Sequence, residues 1–269
     1  MRHIISLGAG VQSSTVVLKA AHGEIKPMPE CAIFADTGWE PKAVYEYLHD
    51  FLIPALPFPV YIVTAGDLRQ DTIDNKKYKG GKNKRFASIP WFTSGGGMGQ
   101  RQCTYDYKIT PLNWEVRRLL GVGRRERIPA SAVSMWIGIS TDEASRMKPT
   151  GVKWRVNRWP LIEQNMSRRD CLDWMAKHNY PEPAKSACIG CPFHSNAAWR
   201  DMKMNDPVSW ADAVDVDKAI REGGTYAGMK AHQYMHRSCV PLDEVDFRNA
   251  EDMGQIDMFK NECEGMCGL

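Results

Sequence analysis

No apolar run in this chain approaches the roughly 18 residues that a membrane-spanning helix needs, so insertion into a bilayer as a helix is not expected. The opening residues, Met1-Arg2-His3-Ile4-Ile5-Ser6, hold too short an apolar run for a secretory signal and lead straight into a strand. Internal repeats are missing, and so is any low-complexity tract beyond one basic loop. No Gly-Lys-Ser/Thr follows a glycine-rich turn, which excludes a Walker A phosphate loop. No Cys-Cys dipeptide occurs. Charge of one sign is scarce too: a net +3 over 269 residues says little about partners by itself. What remains is a chain long enough to bury a core without disulfide staples. It carries eight cysteines, and a cytoplasmic, reducing location is expected, where clustered cysteines ligate metals or do redox work.

Strand-like and helix-like segments alternate through the first half. Residues 3–7, Cys31 to Ala35 and Val60 to Val63 read as strands, with helices over 13–21 and 41–51 between them. Further helices are expected at 111–121 and 168–178, and a strand over 133–139. This alternation predicts an α/β fold, a twisted parallel sheet flanked by helices. After Tyr180-Pro181-Glu182-Pro183 the composition shifts to cysteine, histidine and short helical pieces. The expected organisation is therefore a nucleotide-binding domain over 1–180 and a smaller, mostly helical, cysteine-containing subdomain over 181–269. Inside the first, residues 67–102 lose periodicity and form a basic, glycine-rich loop, as functional lids often do. Its stretch 76–85 carries six basic residues and no acid, suiting either a solvated loop or a surface for phosphates or a nucleic-acid backbone.

Directly behind the first strand stands Ser6-Leu7-Gly8-Ala9-Gly10-Val11-Gln12-Ser13-Ser14. A strand, a glycine-bearing turn and a helix that begins with hydroxyl residues gather backbone N–H groups around phosphate. Gly8 and Gly10 permit positive φ and close ligand approach, and Ser13 and Ser14 can add hydroxyl donors.

The cysteines divide by context. Cys188-Ile189-Gly190-Cys191-Pro192 places two thiolates two residues apart ahead of a proline, a spacing used by iron–sulfur clusters and by zinc. Cys103 and Cys239, both beside basic residues, complete a dispersed one-two-one set that suits a [4Fe–4S] cluster better than a zinc knuckle, with zinc as the alternative. His194 reads as a supporting residue. Cys31 and Cys171 sit at apolar periodic positions, as core cysteines do. Cys263 and Cys267 form a separate terminal pair, either reactive thiols or, in one case, the fourth cluster ligand.

Gly8-Ala9-Gly10-Val11-Gln12-Ser13 resembles the PP-loop of the ATP-pyrophosphatase (adenine nucleotide α-hydrolase-like) superfamily, and in particular its phosphoadenylylsulfate (PAPS) reductase branch. Against the superfamily pattern Ser-Gly-Gly-x-Asp-Ser, Gly8 replaces Ser, Ala9 replaces Gly and Gln12 replaces Asp. Asp36-Thr37-Gly38, Arg101-Gln102-Cys103 with Lys108-Ile109-Thr110-Pro111, and Trp159-Pro160-Leu161 resemble further family segments in the same order. So does Gly138-Ile139-Ser140-Thr141-Asp142-Glu143-Ala144-Ser145-Arg146, where Ser140 stands at a position often held by arginine. The likeness covers roughly residues 3–200. It implies that Ser6, Gly8, Gly10, Gln12, Ser13, Ser14, Asp36, Thr37, Gly38, Arg101, Lys108 and Arg146 bind ATP or an adenylyl nucleotide. Asp142 and Glu143 would serve Mg²⁺ or the reaction. The four dispersed cysteines would hold a cluster, as in the DNA phosphorothioation ATP-pyrophosphatases that this layout resembles. The expected activity is ATP-dependent sulfur transfer to an activated acceptor, a nucleic acid reached through loop 76–85 included, with a sulfur donor or reductant protein as partner and a homo-oligomeric assembly. Reduction of PAPS or adenylylsulfate, with Cys263 or Cys267 as nucleophile, is the alternative. A zinc-stabilised nucleotide- or nucleic-acid-binding adaptor is the third reading.

Overall fold

Five short strands build the central sheet of this computed structural model, which describes residues 1–74, 77–78, 85–86, 89–222 and 231–248. They are β1 (Arg2–Leu7), β2 (Cys31–Asp36), β3 (Val60–Thr64), β4 (Val133–Ile137) and β5 (Arg155–Arg158). Every pairing is parallel, in the order β3-β2-β1-β4-β5. Successive side chains of a strand point to opposite faces, and here the two faces carry separate cores. Ile5, Leu7, Phe34 and Trp136 pack on one side with Val16, Val17 and Leu18 of α1 (Val11–Ala21). Ile4, Cys31, Ile33, Val133 and Met135 pack on the other with Leu112 and Val116 of α2 (Thr110–Leu119). Each such side chain contributes about 1.5–3 kcal/mol when fully buried, so both faces are firmly covered. The α/β class with helices on both faces is therefore as expected. Helix α3 (Arg168–Lys177) starts in a reciprocal cap. The Ser167 hydroxyl accepts from the Asp170 N–H at 3.2 Å, while the Asp170 carboxylate accepts from the Ser167 N–H at 2.8 Å.

The chain divides into two compact units. The first holds the sheet and comprises Met1–Asp36, Glu40–Ala65 and Lys108–Ser186. The second comprises Thr37–Trp39 and the described residues of Gly66–Tyr107 and from Ala187 on. The second unit thus takes in described residues of 66–107 as well as residues beyond the composition shift near 180. The cause is pairing at long sequence range: Phe92 and Thr93 run antiparallel to Tyr234 and Gln233. Helices α4 (Asn196–Asn205) and α5 (Pro207–Glu222) supply this unit's core, with Trp199, Ala213, Val216 and Ile220 buried. Among the described residues no helix is long and apolar enough to cross a membrane.

Candidate functional site

Parallel sheets bind ligands beyond the carboxyl ends of strands where the winding direction reverses. In this sheet the reversal lies between β1 and β4, neighbours in space but not in sequence. Gly8-Ala9-Gly10 leaves β1 there, and Gly138-Ile139-Ser140 leaves β4. The two turns touch through backbone. A methyl group on Gly138 would stand 2.8 Å from both Cα and N of Ser13, so only glycine lets the start of α1 approach the end of β4 so closely. Ser13 closes the loop on itself, its hydroxyl accepting from the Gly8 N–H at 3.2 Å and donating to the Gly10 carbonyl at 3.2 Å. The Ser186 hydroxyl donates to the Gly8 carbonyl. Gly10 caps α1 with no side-chain bond to the helix N-terminus.

Neither Gly8 nor Gly10 takes positive φ; the left-handed residue is Ala9, at φ 55° and fully buried. That is the position where the superfamily pattern carries glycine. An L-residue there costs about 1–2 kcal/mol, and such strain gathers at functional sites. Gln12 and Ser140, one from each turn, meet: the Gln12 side-chain amide donates to the Ser140 hydroxyl at 3.5 Å. Ser140 is fully buried. Ser6 is half-buried in β1, whereas Ser14 is buried completely in α1 beside Tyr47, whose hydroxyl burial pushes up to about 12.

Of the charged candidates in this unit, Asp36, Lys108, Asp142, Glu143 and Arg146 each have a protein partner. Asp36 accepts from the Tyr45 hydroxyl at 2.7 Å. Lys108 pairs with buried Glu40 at 3.2 Å. Asp142 accepts from the Arg168 N–H at 2.9 Å, which places it at the start of α3. Glu143 is buried and pairs with Arg146 at 2.5 Å. The two acids singled out as a catalytic pair thus face different partners.

All four proposed metal cysteines, Cys103, Cys188, Cys191 and Cys239, belong to the second unit. None of the six described cysteines is in a disulfide. These four are part-exposed, whereas Cys31 and Cys171 are buried in the first unit and burial pushes both thiols up to about 12, as suits inert core residues. Around Cys188 the chain makes a tight turn, with the Cys191 N–H donating to the Cys188 carbonyl at 3.0 Å and His194 Nε2 3.0 Å from the same oxygen. The Cys188 sulfur lies 3.4 Å from the Thr37 hydroxyl. Trp39, not flagged by sequence, shapes this turn. A methyl on Gly190 would fall 2.0 Å from the indole ring, and the Ile189 N–H donates to the Trp39 carbonyl at 2.9 Å. The indole N–H in turn donates to Asp212 at 2.6 Å, and Asp212 pairs with Arg69. Gly38 is exposed, and Arg101 lies over the Phe193 ring at 5.2 Å.

Cys239 is held differently. It takes φ 53°, its N–H donates to the His236 carbonyl at 3.1 Å, and its thiol donates to the Thr93 carbonyl at 3.5 Å. His236 is buried between Ser238 at 2.8 Å and Asn196 at 3.1 Å, and burial with Arg237 nearby lowers its pKa. Asp217 ties the segment down. Fully buried on α5, it pairs with Arg221 and accepts from the N–H groups of Met235 at 2.8 Å and Leu242 at 3.0 Å. Its only sequence signal is the acid four residues ahead of an arginine on one helix face. Cys263 and Cys267 lie outside the described residues, as does the basic stretch 76–85 apart from the backbone of Lys77–Tyr78 and Arg85.

No family model and no curated protein matches the sequence. One solved structure similar to it is that of a phosphoadenylyl-sulfate (PAPS) reductase from Candida auris in complex with phosphate. It is 11% identical at a TM-score of 0.45, with 68% of this chain and 75% of that chain covered.

Proposed function

We propose that the chain is an adenine-nucleotide-dependent enzyme of sulfur chemistry, transferring sulfur to an activated acceptor. The observation that carries this is the meeting of two motif-bearing turns at the sheet's reversal point. There Gly138 admits the start of α1, and Gln12 bonds to Ser140. In this reading the N–H groups at the start of α1 bind nucleotide phosphate, Ser13 keeps the loop in shape, and Lys108 and Arg146 lend positive charge. Mg²⁺ would arrive with the phosphates, which supply much of its coordination.

The donor set of the second unit fits a soft metal: four part-exposed thiols, outside any disulfide, one beside a hydroxyl donor. Cys103, Cys188, Cys191 and Cys239 would hold a [4Fe–4S] cluster, which when bound supplies electrons or a sulfur-binding iron. A nucleic acid as acceptor is supported by the six basic residues of 76–85. One observation favours reduction of PAPS or adenylylsulfate as a second reading: the loop carries neutral Gln12, bonded to Ser140, where a carboxylate would assist Mg²⁺-dependent cleavage of ATP.

Anaerobically purified protein should carry iron and acid-labile sulfide, and should release pyrophosphate from ATP faster when RNA or DNA is added. Sulfite from PAPS with no turnover of ATP would overturn sulfur transfer in favour of the second reading. Zinc without iron, and no turnover of either nucleotide, would leave a binding module.

A further inference from the structure

Among the described residues one group of three His, Cys, Asp or Glu side chains has its ligand atoms all within 4.8 Å of one another: His22, Glu24 and His178. It belongs to the first unit and shares no residue with the phosphate loop. Tetrahedral zinc with bonds of about 2.1 Å sets its ligand atoms ~3.4 Å apart, so small side-chain shifts would close the group around an ion.

The surroundings prepare these atoms for a cation. His178 Nδ1 lies 2.8 Å from the Trp174 carbonyl oxygen. That partner holds the proton on Nδ1 and leaves the Nε2 lone pair available, the usual support of a metal-bound imidazole. His178 Nε2 is 4.0 Å from Glu24 Oε1. The other carboxylate oxygen takes the Lys19 ammonium at 2.6 Å, and the Trp174 indole N–H lies 3.2 Å from both. His22 Nε2 lies 2.5 Å from the Tyr180 hydroxyl, which orients its ring. His22 caps the end of α1 and His178 the end of α3, so two helix C-termini contribute partial negative charge beside the group. Two imidazoles and one carboxylate are a donor set of borderline softness, matched to zinc rather than to calcium or magnesium.

We propose that His22, Glu24 and His178 form a surface site for one Zn²⁺ ion, with water in the fourth position. The ion joins the C-terminal ends of α1 and α3.

Equilibrium dialysis of metal-stripped, full-length protein against Zn²⁺ tests this, because the cysteines are the same in every variant. Wild type should retain one more Zn²⁺ per chain than His178→Gln, and Glu24→Gln should weaken that extra ion more than ~10-fold. With ¹¹³Cd²⁺ as probe, wild type should show a resonance in the nitrogen–oxygen range, apart from any thiolate-bound signal, and His178→Gln should lack it. Circular dichroism confirms that each variant is folded. Equal zinc content and equal cadmium spectra in wild type and His178→Gln would overturn the site.

Discussion

The glycine-bearing turn after β1 and the cysteine-bearing segments are both held in place, by different means. The loop in the first unit is made of backbone. A missing methyl at Gly138 and a left-handed Ala9 set its path, and one serine side chain closes it. The cysteine segments of the second unit are short and irregular, and polar side chains buried beneath them fix their positions. Asp217 anchors the chain on both sides of Cys239, and Trp39 with Asp212 shapes the turn at Cys188. A loop made of backbone tolerates few substitutions in itself. A segment held from below is most vulnerable at residues that touch no ligand.

Removing the anchor should have the largest effect. Asp217→Ala leaves Arg221 and two N–H groups without their shared acceptor, and breaking a buried pair in this way costs about 3–5 kcal/mol. Urea unfolding should register the loss, with Asp217→Asn intermediate; a loss below ~1 kcal/mol would remove the anchor from the comparison. Gly190→Ala should come next, at about 1–3 kcal/mol for overpacking against the Trp39 indole. Trp39→Ala in the same chain should relieve part of it, read as a non-additive double-mutant cycle. Gly138→Ala tests the other side. A cost of similar size is expected, now with loss of nucleotide binding measured by calorimetry, since the start of α1 must shift.

A smaller effect should appear with pH. His236 is held below its ordinary value of 6.5 in the folded protein, while the unfolded chain takes up a proton near that value. Its contribution is therefore complete above about pH 6.5 and falls away as pH drops through the folded pKa. His236→Gln should flatten the stability profile between pH 7.5 and 5.5; an unchanged slope would assign the acid sensitivity elsewhere. Ala9→Gly should change least. Relief of roughly 1 kcal/mol of left-handed strain is offset by ~0.8 kcal/mol for the lost buried methyl. Thermal melts should thus show almost no shift, whereas Ala9→Val should be clearly destabilised because branched residues resist that conformation.

The same contrast explains what could be read from sequence. The sheet and helices of the first unit follow from period and composition, because its inner strands are short apolar runs that a parallel sheet buries on both faces. Strand β5 escaped notice: Arg155, Asn157 and Arg158 are polar, and Val156 is exposed, as befits an edge. The loop is legible as a strand–turn–helix, but its glycines mark only where positive φ is permitted, whereas Ala9 is the residue that adopts it. Sequence could nominate cysteines by spacing and company, whereas Trp39, Asp212 and Asp217 act across long separations that no local pattern records. Helix α5, at 16 residues, is also longer than the short pieces expected from that region.

The pairing of Phe92–Thr93 with Gln233–Tyr234 also sets an order of events during synthesis. At about 5–20 residues per second, a ribosome needs roughly 6–30 s to travel from the first of these strands to the second. The first unit's last residue, Ser186, emerges inside that interval. The sheet can therefore be complete while the strand at Phe92 still lacks its partner. A nascent chain whose first 190 residues have left the ribosome would hold a finished sheet and only part of the second unit, a state in which chaperones have time to act.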